Sequence, residues 1–551
     1  MFLTQIFGNL SLWASFPAFL LYYLFYSSFE MNDPEGYVTD AETILTEYDF
    51  IVIGAGSAGA VVANRLTEVS NWNVLLLEVG GDEGIVTDIP GAVHLLQRTS
   101  MDWQYKTMEQ TEACLAFNDN KSNWPRGKIL GGSSVLNYML YVRGNKRDYD
   151  DWEAKGNIGW SYDDVLPYFI KSEDNRNPYI AANTKYHGTG GYLTVQEPAW
   201  TTPLAVAFVE AGVEMDYESN DGNAAKQTGF MLTQATNRRG HRCSTAKAFL
   251  RPIRNRQNFH ISMYSHVHKI IIDPVTKQAT AVRFEKKGQI YQVNAKKVSC
   301  PADHLQSFGI PVIEDLPVGD NLQDHIALGG MVFTVNKPFG AIEGQYYAFP
   351  ALLNYKMNSA GPLASLLGCE ALAWVNTKYA DPSSGEDDIW EKYYNPLMDK
   401  DMWQVIPMLL RPESTGTIRL ASSDPYTAPL IDPKYFSKIQ DLNVLIEGTK
   451  IGLALSKMEA FQKLGSKFYA AIFPGCEQFT PWTDEYWGCF IRHFSSTIYH
   501  PSGTCKMGPS SDKTAVVDPT LKVYGIKGLR VIDCSIMSKI VSGNTNAPAV
   551  S

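Results

Sequence analysis

Residues 49–53 (DFIVI) run apolar and stop at Gly54, and residues 74–77 (VLLL) form a second run of the same kind. Short continuous apolar runs bounded by glycine or polar residues read as buried parallel strands. Between them, residues 60–66 (AVVANRL) read as a helix. The joint is Gly54-Ala55-Gly56-Ser57-Ala58-Gly59, a G-x-G-x-x-G turn, and Glu78 ends the second run 24 positions after Gly54. Each glycine has a separate use: a tight turn, close approach to a pyrophosphate, and close helix–strand packing. The helix start offers free N–H groups and the positive end of its dipole to phosphate, and an acid at the end of the second strand is placed to accept from ribose hydroxyls. The pattern therefore predicts a strand–turn–helix–strand unit for a dinucleotide, with FAD and NAD both open at this point.

Further along, residues 203–215 carry apolar positions at helical spacing (Leu204, Ala207, Phe208, Ala211), and residues 444–455 predict an amphipathic helix. Residues 260–263 and 269–272 are β-rich, 528–533 predict a short strand, and 179–200, rich in Gly, Asn and Pro, predict loops. Residues 330–386 are aromatic and weakly patterned. A chain of 551 residues exceeds one core, so two or more domains are expected. The net charge of −10 excludes general nucleic-acid binding, which needs basic surface. Residues 1–29 carry no charged side chain, with an apolar core over 10–26 interrupted by Pro17. That segment predicts entry into the secretory pathway, as a cleaved signal peptide or a membrane anchor, with residues 30–47 as a polar linker. Eight cysteines are too few to be the main scaffold of the fold; Cys476 with Cys489 is the nearest plausible pair in sequence. No C-x-x-C or zinc spacing occurs, so no metal is expected, and Asn120-Lys121-Ser122 has the glycosylation-acceptor pattern.

Candidate chemistry begins at residues 124–144, WPRGKILGGSSVLNYMLYVRG. Gly131-Gly132-Ser133-Ser134 is a small-residue turn able to lie against a planar ring or a phosphate. Together with the N-terminal fingerprint, this stretch resembles the glucose–methanol–choline (GMC) oxidoreductase family, and within it the insect-type glucose dehydrogenases; the resemblance runs from about residue 48 to the C-terminus. It implies FAD, and an α/β fold in which a Rossmann-like FAD-binding domain carries a second α+β substrate-binding domain. The FAD-binding domain would comprise residues 48–150, 236–330 and 495–551, and the substrate domain 151–235 and 331–494. By the same resemblance Gly54 to Gly59, Glu78, Arg126, Gly131 to Ser134, Asn137 and Asp533 contact the cofactor. Some members link flavin covalently through a histidine where this chain has Leu136, so non-covalent FAD is expected. Residues 330–386 become pocket wall and lid, and His325, in the run VGDNLQDH, becomes a capping or packing residue.

Residues 499–508 (YHPSGTCKMG) resemble the family's catalytic histidine motif, and 541–548 (VSGNTNAP) its second half. The implied pair is His500 and Asn544. Alcohol oxidation by flavin moves a hydride from the carbinol carbon, which releases it readily only as an alkoxide. A neutral histidine can take the hydroxyl proton and an amide can donate to the resulting oxyanion. The expected function is FAD-dependent oxidation of a CH–OH group in an alcohol or glucose-like sugar, with a quinone-type acceptor. Three departures from the family pattern carry a rival expectation, a non-catalytic or mis-spliced relative unable to hold FAD. A strand, glycine turn and helix are expected to be absent after residue 298, a block is missing between 388 and 389, and the chain stops at 549–551 where the family has a last helix. Cys114 also lacks, by resemblance, a partner where Ser122 stands.

Overall fold

The computed structural model describes residues 36–299, 313–336, 348–366, 369–374, 395–397 and 400–551. The apolar leader over 1–29, the residues after the expected gap at 300–305 and the junction at 388–389 lie outside them. Among the described residues no helix is long and apolar enough to cross a membrane.

Strand β1 (Glu47–Ile53), helix α1 (Ser57–Leu66) and strand β2 (Val74–Leu77) follow the predicted unit, and β2 is buried at every position. β1 and β2 pair in parallel, Phe50 opposite Val74 through Ile53 opposite Leu77. A short helix α2 (Ser133–Leu136) follows the Gly131-Gly132 turn. Strand β3 (Phe259–Ser262) adds in parallel to the outer edge of β2. A meander of β4 (Ser265–Ile272), β5 (Ala279–Lys286) and β6 (Gln289–Ser299) then returns the chain to β1.

β6 ends at Ser299, and the strand, glycine turn and helix expected to be absent after residue 298 would follow it at 300–312, outside the described residues. Residues 289–294 pair antiparallel with β5, while residues 294–299 pair parallel with residues 47–52 of β1. At its far end Val298 and Ser299 also pair in parallel with β9 (Leu529–Arg530). One long strand thus changes partners half-way and occupies the place beside β1, completing a seven-stranded sheet. The core on this sheet draws on Ile51, Leu75, Leu76, Phe249, Phe284 and Val541, all nearly solvent-free.

The second layer is built from short antiparallel sheets under helices. β7 (Ile326–Leu328) is flanked by residues 408–409 and by β8 (Ser495–Thr497). Residues 331–334 pair with 402–405 and 467–468, and 371–374 with 229–232. Helices Pro203–Glu214, α3 (Ile439–Leu455) and α4 (Asp484–His493) cover them; α3 begins five residues before the amphipathic pattern does. Cys476 and Cys489 form a disulfide that ties α4 to the loop before it. Residues 179–200 are less irregular than expected: Leu193–Val195 pairs in parallel with Glu173–Asn175.

Candidate active site

The glycine turn after β1 opens onto the end of the sheet. Gly56 caps α1 and has no side chain to satisfy the first-turn N–H groups, which leaves them for an anion. A Cβ on Gly59 would stand 1.9 Å from Gly54 O, so only glycine lets α1 pack this close to the strand end. Gly132, at φ 53°, brings the second turn against the first: its Cβ would lie 2.7 Å from Gly56 Cα. Two backbone surfaces without side chains therefore meet here, the shape a pyrophosphate and a flat ring require. Glu78 is buried, and its carboxylate accepts from Ala55 N and Gly80 N at 2.9 Å each, fixing the glycine turn; burial raises its pKa and those amides oppose the rise. Ser133 Oγ accepts from Gly127 N, while Ser134 is held by Gly131 O and Thr245. Ser57 Oγ donates to Asn546 Oδ1 at 2.7 Å, joining α1 to α5 (Asn546–Val550). Asp533 is exposed and accepts from Ser535 N.

His500 and Asn544 come together: Asn544 Nδ2 lies 3.1 Å from His500 Nε2. β7 and β8 pair with Ile326 opposite Thr497, and the ladder resumes at Gln323 opposite Ser502. Between those points the β7 side has two residues, Asp324 and His325, and the β8 side has four, 498–501. His500 sits in this bulge. Asp324 Oδ1 accepts from His500 N at 2.9 Å, and Tyr435 donates to the other carboxylate oxygen at 2.5 Å. Tyr499 takes a left-handed φ of 72°, and Arg126 Nη2 donates to its carbonyl at 3.0 Å. The Asn544 loop is pinned from outside. Ser542 donates through N and Oγ to Asp148 and accepts from Arg411, and Gln227 donates to its carbonyl.

His325, expected as a capping or packing residue, lies directly against His500. It is buried, with Nδ1 2.9 Å from His500 Nδ1 and Nε2 3.1 Å from Leu410 O. A carbonyl can only accept, so His325 carries its proton on Nε2 and accepts at Nδ1. His500 must then donate from Nδ1, which leaves Nε2 unprotonated and facing the Asn544 amide. Both rings stay neutral: burial lowers His325 to about 4, and burial, then the neighbouring His325 ring and the Arg126 charge, hold His500 well below the usual range. Sequence reasoning named the pair and missed the third member, along with the anchors Asp148, Gln227 and Arg411. The family pattern around Asp148 was visible, but not its target.

Residues 48–327 and 412–551 match the sequence profiles of the GMC oxidoreductase N- and C-terminal regions. The chain belongs to the GMC oxidoreductase family. It is 38% identical to glucose dehydrogenase [FAD, quinone] of Drosophila melanogaster over 539 residues, covering 92% of this chain and 85% of that one. Alcohol dehydrogenase [acceptor] of Pseudomonas putida is 34% identical over 91% of this chain and 94% of its own length. Among solved structures, pyridoxine 4-oxidase from Mesorbium loti superposes with a TM-score of 0.76 at 26% identity, covering 91% of this chain and 97% of that one. The fold is that of GMC oxidoreductases, an FAD-binding part with a substrate-binding part, and the protein is an FAD-dependent enzyme. The facing glycine turns and uncapped α1 fit that cofactor.

Proposed function

We propose that this GMC oxidoreductase oxidises a CH–OH group of an alcohol or glucose-like sugar with non-covalent FAD, and passes the electrons to a quinone-type acceptor. The observation that carries the reading is the ordered proton chain from Leu410 O through His325 and His500 to Asn544. FAD, when bound, supplies the hydride acceptor. A substrate hydroxyl entering between the two side chains gives its proton to His500 Nε2, and Asn544 Nδ2 donates to the oxygen that develops charge. Asp324 and Arg126, gripping the N–H and the C=O of the one peptide that joins Tyr499 to His500, hold the imidazole for this transfer. Such a base contributes about 10²–10⁴-fold. Arg126, the two glycine turns, Ser57, Asn137 and Asp533 would hold FAD, with Leu136 offering no covalent link. The 38% identity to a quinone-dependent glucose dehydrogenase supports the sugar and the acceptor. The charge-free leader supports a secretory or membrane-anchored location.

The test is the visible spectrum of the full-length protein with FAD. Glucose or another alcohol should bleach bound flavin anaerobically, and His500→Ala should stay yellow while bleaching about 10²–10⁴-fold more slowly. Bleaching at the wild-type rate in His500→Ala would sink the assignment of the base.

A further inference from the structure

Arg242 lies on a two-residue strand, His241–Arg242, and is wholly buried. Its guanidinium makes four hydrogen bonds, all to uncharged oxygens. Nε donates to Thr87 O at 3.0 Å; Nη1 donates to Ser134 O at 3.0 Å, Asn137 O at 2.7 Å and Asn137 Oδ1 at 2.9 Å. Nη2 is buried and has no partner among the described residues. Neither nearby carboxylate bonds to Arg242: one oxygen of Glu83 accepts from the Ser244 hydroxyl while the other has no partner among the described residues, and Asp88 meets Lys247. They act on Arg242 only through space, and burial outweighs them, drawing its pKa down to about 10. Taking a cation from water costs several kcal/mol unless a counter-charge meets it, and a buried cation with an idle donor is an unfinished arrangement.

The contacts show where it acts. Ser134 lies in the first half of α2 and Asn137 just beyond its end, so one guanidinium clamps both ends of the turn that follows Gly131-Gly132. Asn137 Oδ1 also accepts from Met139 N at 3.0 Å. An amide oxygen held by two donors leaves only Nδ2 to face outward, and that nitrogen has no protein partner among the described residues. Arg242 therefore fixes Asn137 as a donor and keeps its own positive charge directly behind it.

We propose that Arg242 is a positioning residue of the flavin site, which orients the Asn137 amide toward the cofactor and supplies the positive field that favours reduced over oxidised flavin. This rests on the placement of flavin along residues 131–137 in the function proposed above. Two electrons and one proton leave the reduced ring system with one negative charge, which can meet a guanidinium that makes no direct ion pair in the protein. A permanent ion pair with a carboxylate would cancel the preference.

The experiment measures midpoint potential by dye equilibration and FAD dissociation on the loaded full-length protein. Arg242→Gln removes the charge and should disfavour reduced flavin at least tenfold, a drop of about 30 mV for a two-electron couple. Arg242→Lys keeps the charge and loses the fork; its potential should fall less than that of Arg242→Gln, while FAD dissociates at least tenfold more readily. A yellow Arg242→Gln protein at the wild-type potential overturns the proposal. If that variant does not fold, Arg242→Lys decides: unchanged FAD affinity overturns the proposal and weakened affinity supports it. A wild-type protein that takes up no FAD would remove the underlying flavin site instead, a failure visible before any variant is made.

Discussion

His500 cannot choose by itself which ring nitrogen carries its proton. The choice is made at Leu410, whose carbonyl accepts from His325 and so sets the tautomer of both rings. Replacing His325 with Phe keeps the volume and removes the acceptor for His500 Nδ1–H. The reductive half-reaction should slow by an amount corresponding to about 1–3 kcal/mol, with FAD content unchanged and the proton-dependent limb of the rate profile displaced; stopped-flow bleaching across pH reads both. The same rings set an acid limit on stability. In the unfolded chain each titrates near its ordinary value of about 6.5. In the folded chain both are depressed, His325 to about 4. As pH falls the unfolded state therefore takes up protons first. Stability present above about pH 6.5 is lost below it, at about 1.4 kcal/mol per pH unit for each histidine, until the folded state also protonates. Urea melts from pH 7.5 to 4 should show this slope, and His325→Phe should make it shallower. None of this was legible at residue 325, because the meeting with His500 spans 175 positions and depends on how β7 and β8 pair. His500 and Asn544 were legible only through the long motifs around them.

At the scale of elements, the β1–α1–β2 unit was readable almost to the residue because its constraints are local. The same locality makes it fragile. Gly59→Ala sets a methyl 1.9 Å from Gly54 O, against backbone that cannot turn aside. The helix must lift from the strand, at a cost of about 1–3 kcal/mol, and FAD binding should weaken with it. A thermal melt paired with a flavin titration checks this; a variant with normal FAD affinity would show that the turn has slack. β6 was not readable. Its first half satisfies an antiparallel neighbour and its second a parallel one, and no change of hydrophobic period marks the switch at Asn294. A strand, glycine turn and helix were expected to be missing after Val298 because Ser299-Cys300 runs straight into Pro301, and those positions lie outside the described residues. Within the described residues, Lys297 to Ser299 close the sheet beside β1. The Cys476–Cys489 pairing was legible from closeness in sequence, and the structure contains it.

The whole molecule is closed by contacts between distant parts of the chain. β9 pairs with β6, and Val531, Ile536, Ile540, Val541 and Val550 bury their side chains in the core of the seven-stranded sheet. Five such side chains contribute about 1.5–3 kcal/mol each, comparable with a domain's net stability of about 5–15 kcal/mol. Deleting residues 529–551 should therefore abolish FAD retention and expose the remainder to brief proteolysis, while a truncated protein that stays yellow and resistant would contradict this account of the sheet. The bond from Ser57 to Asn546 joins residues 489 positions apart. At about 5–20 residues per second, a ribosome needs about 25–100 s to travel between them. For most of that interval the glycine turn has been made while its facing loops and the His500–Asn544 pair have not. Cofactor capture is thus a late event in the life of this chain, following its synthesis, and until then the nascent β1 edge depends on whatever else in the compartment can shield it.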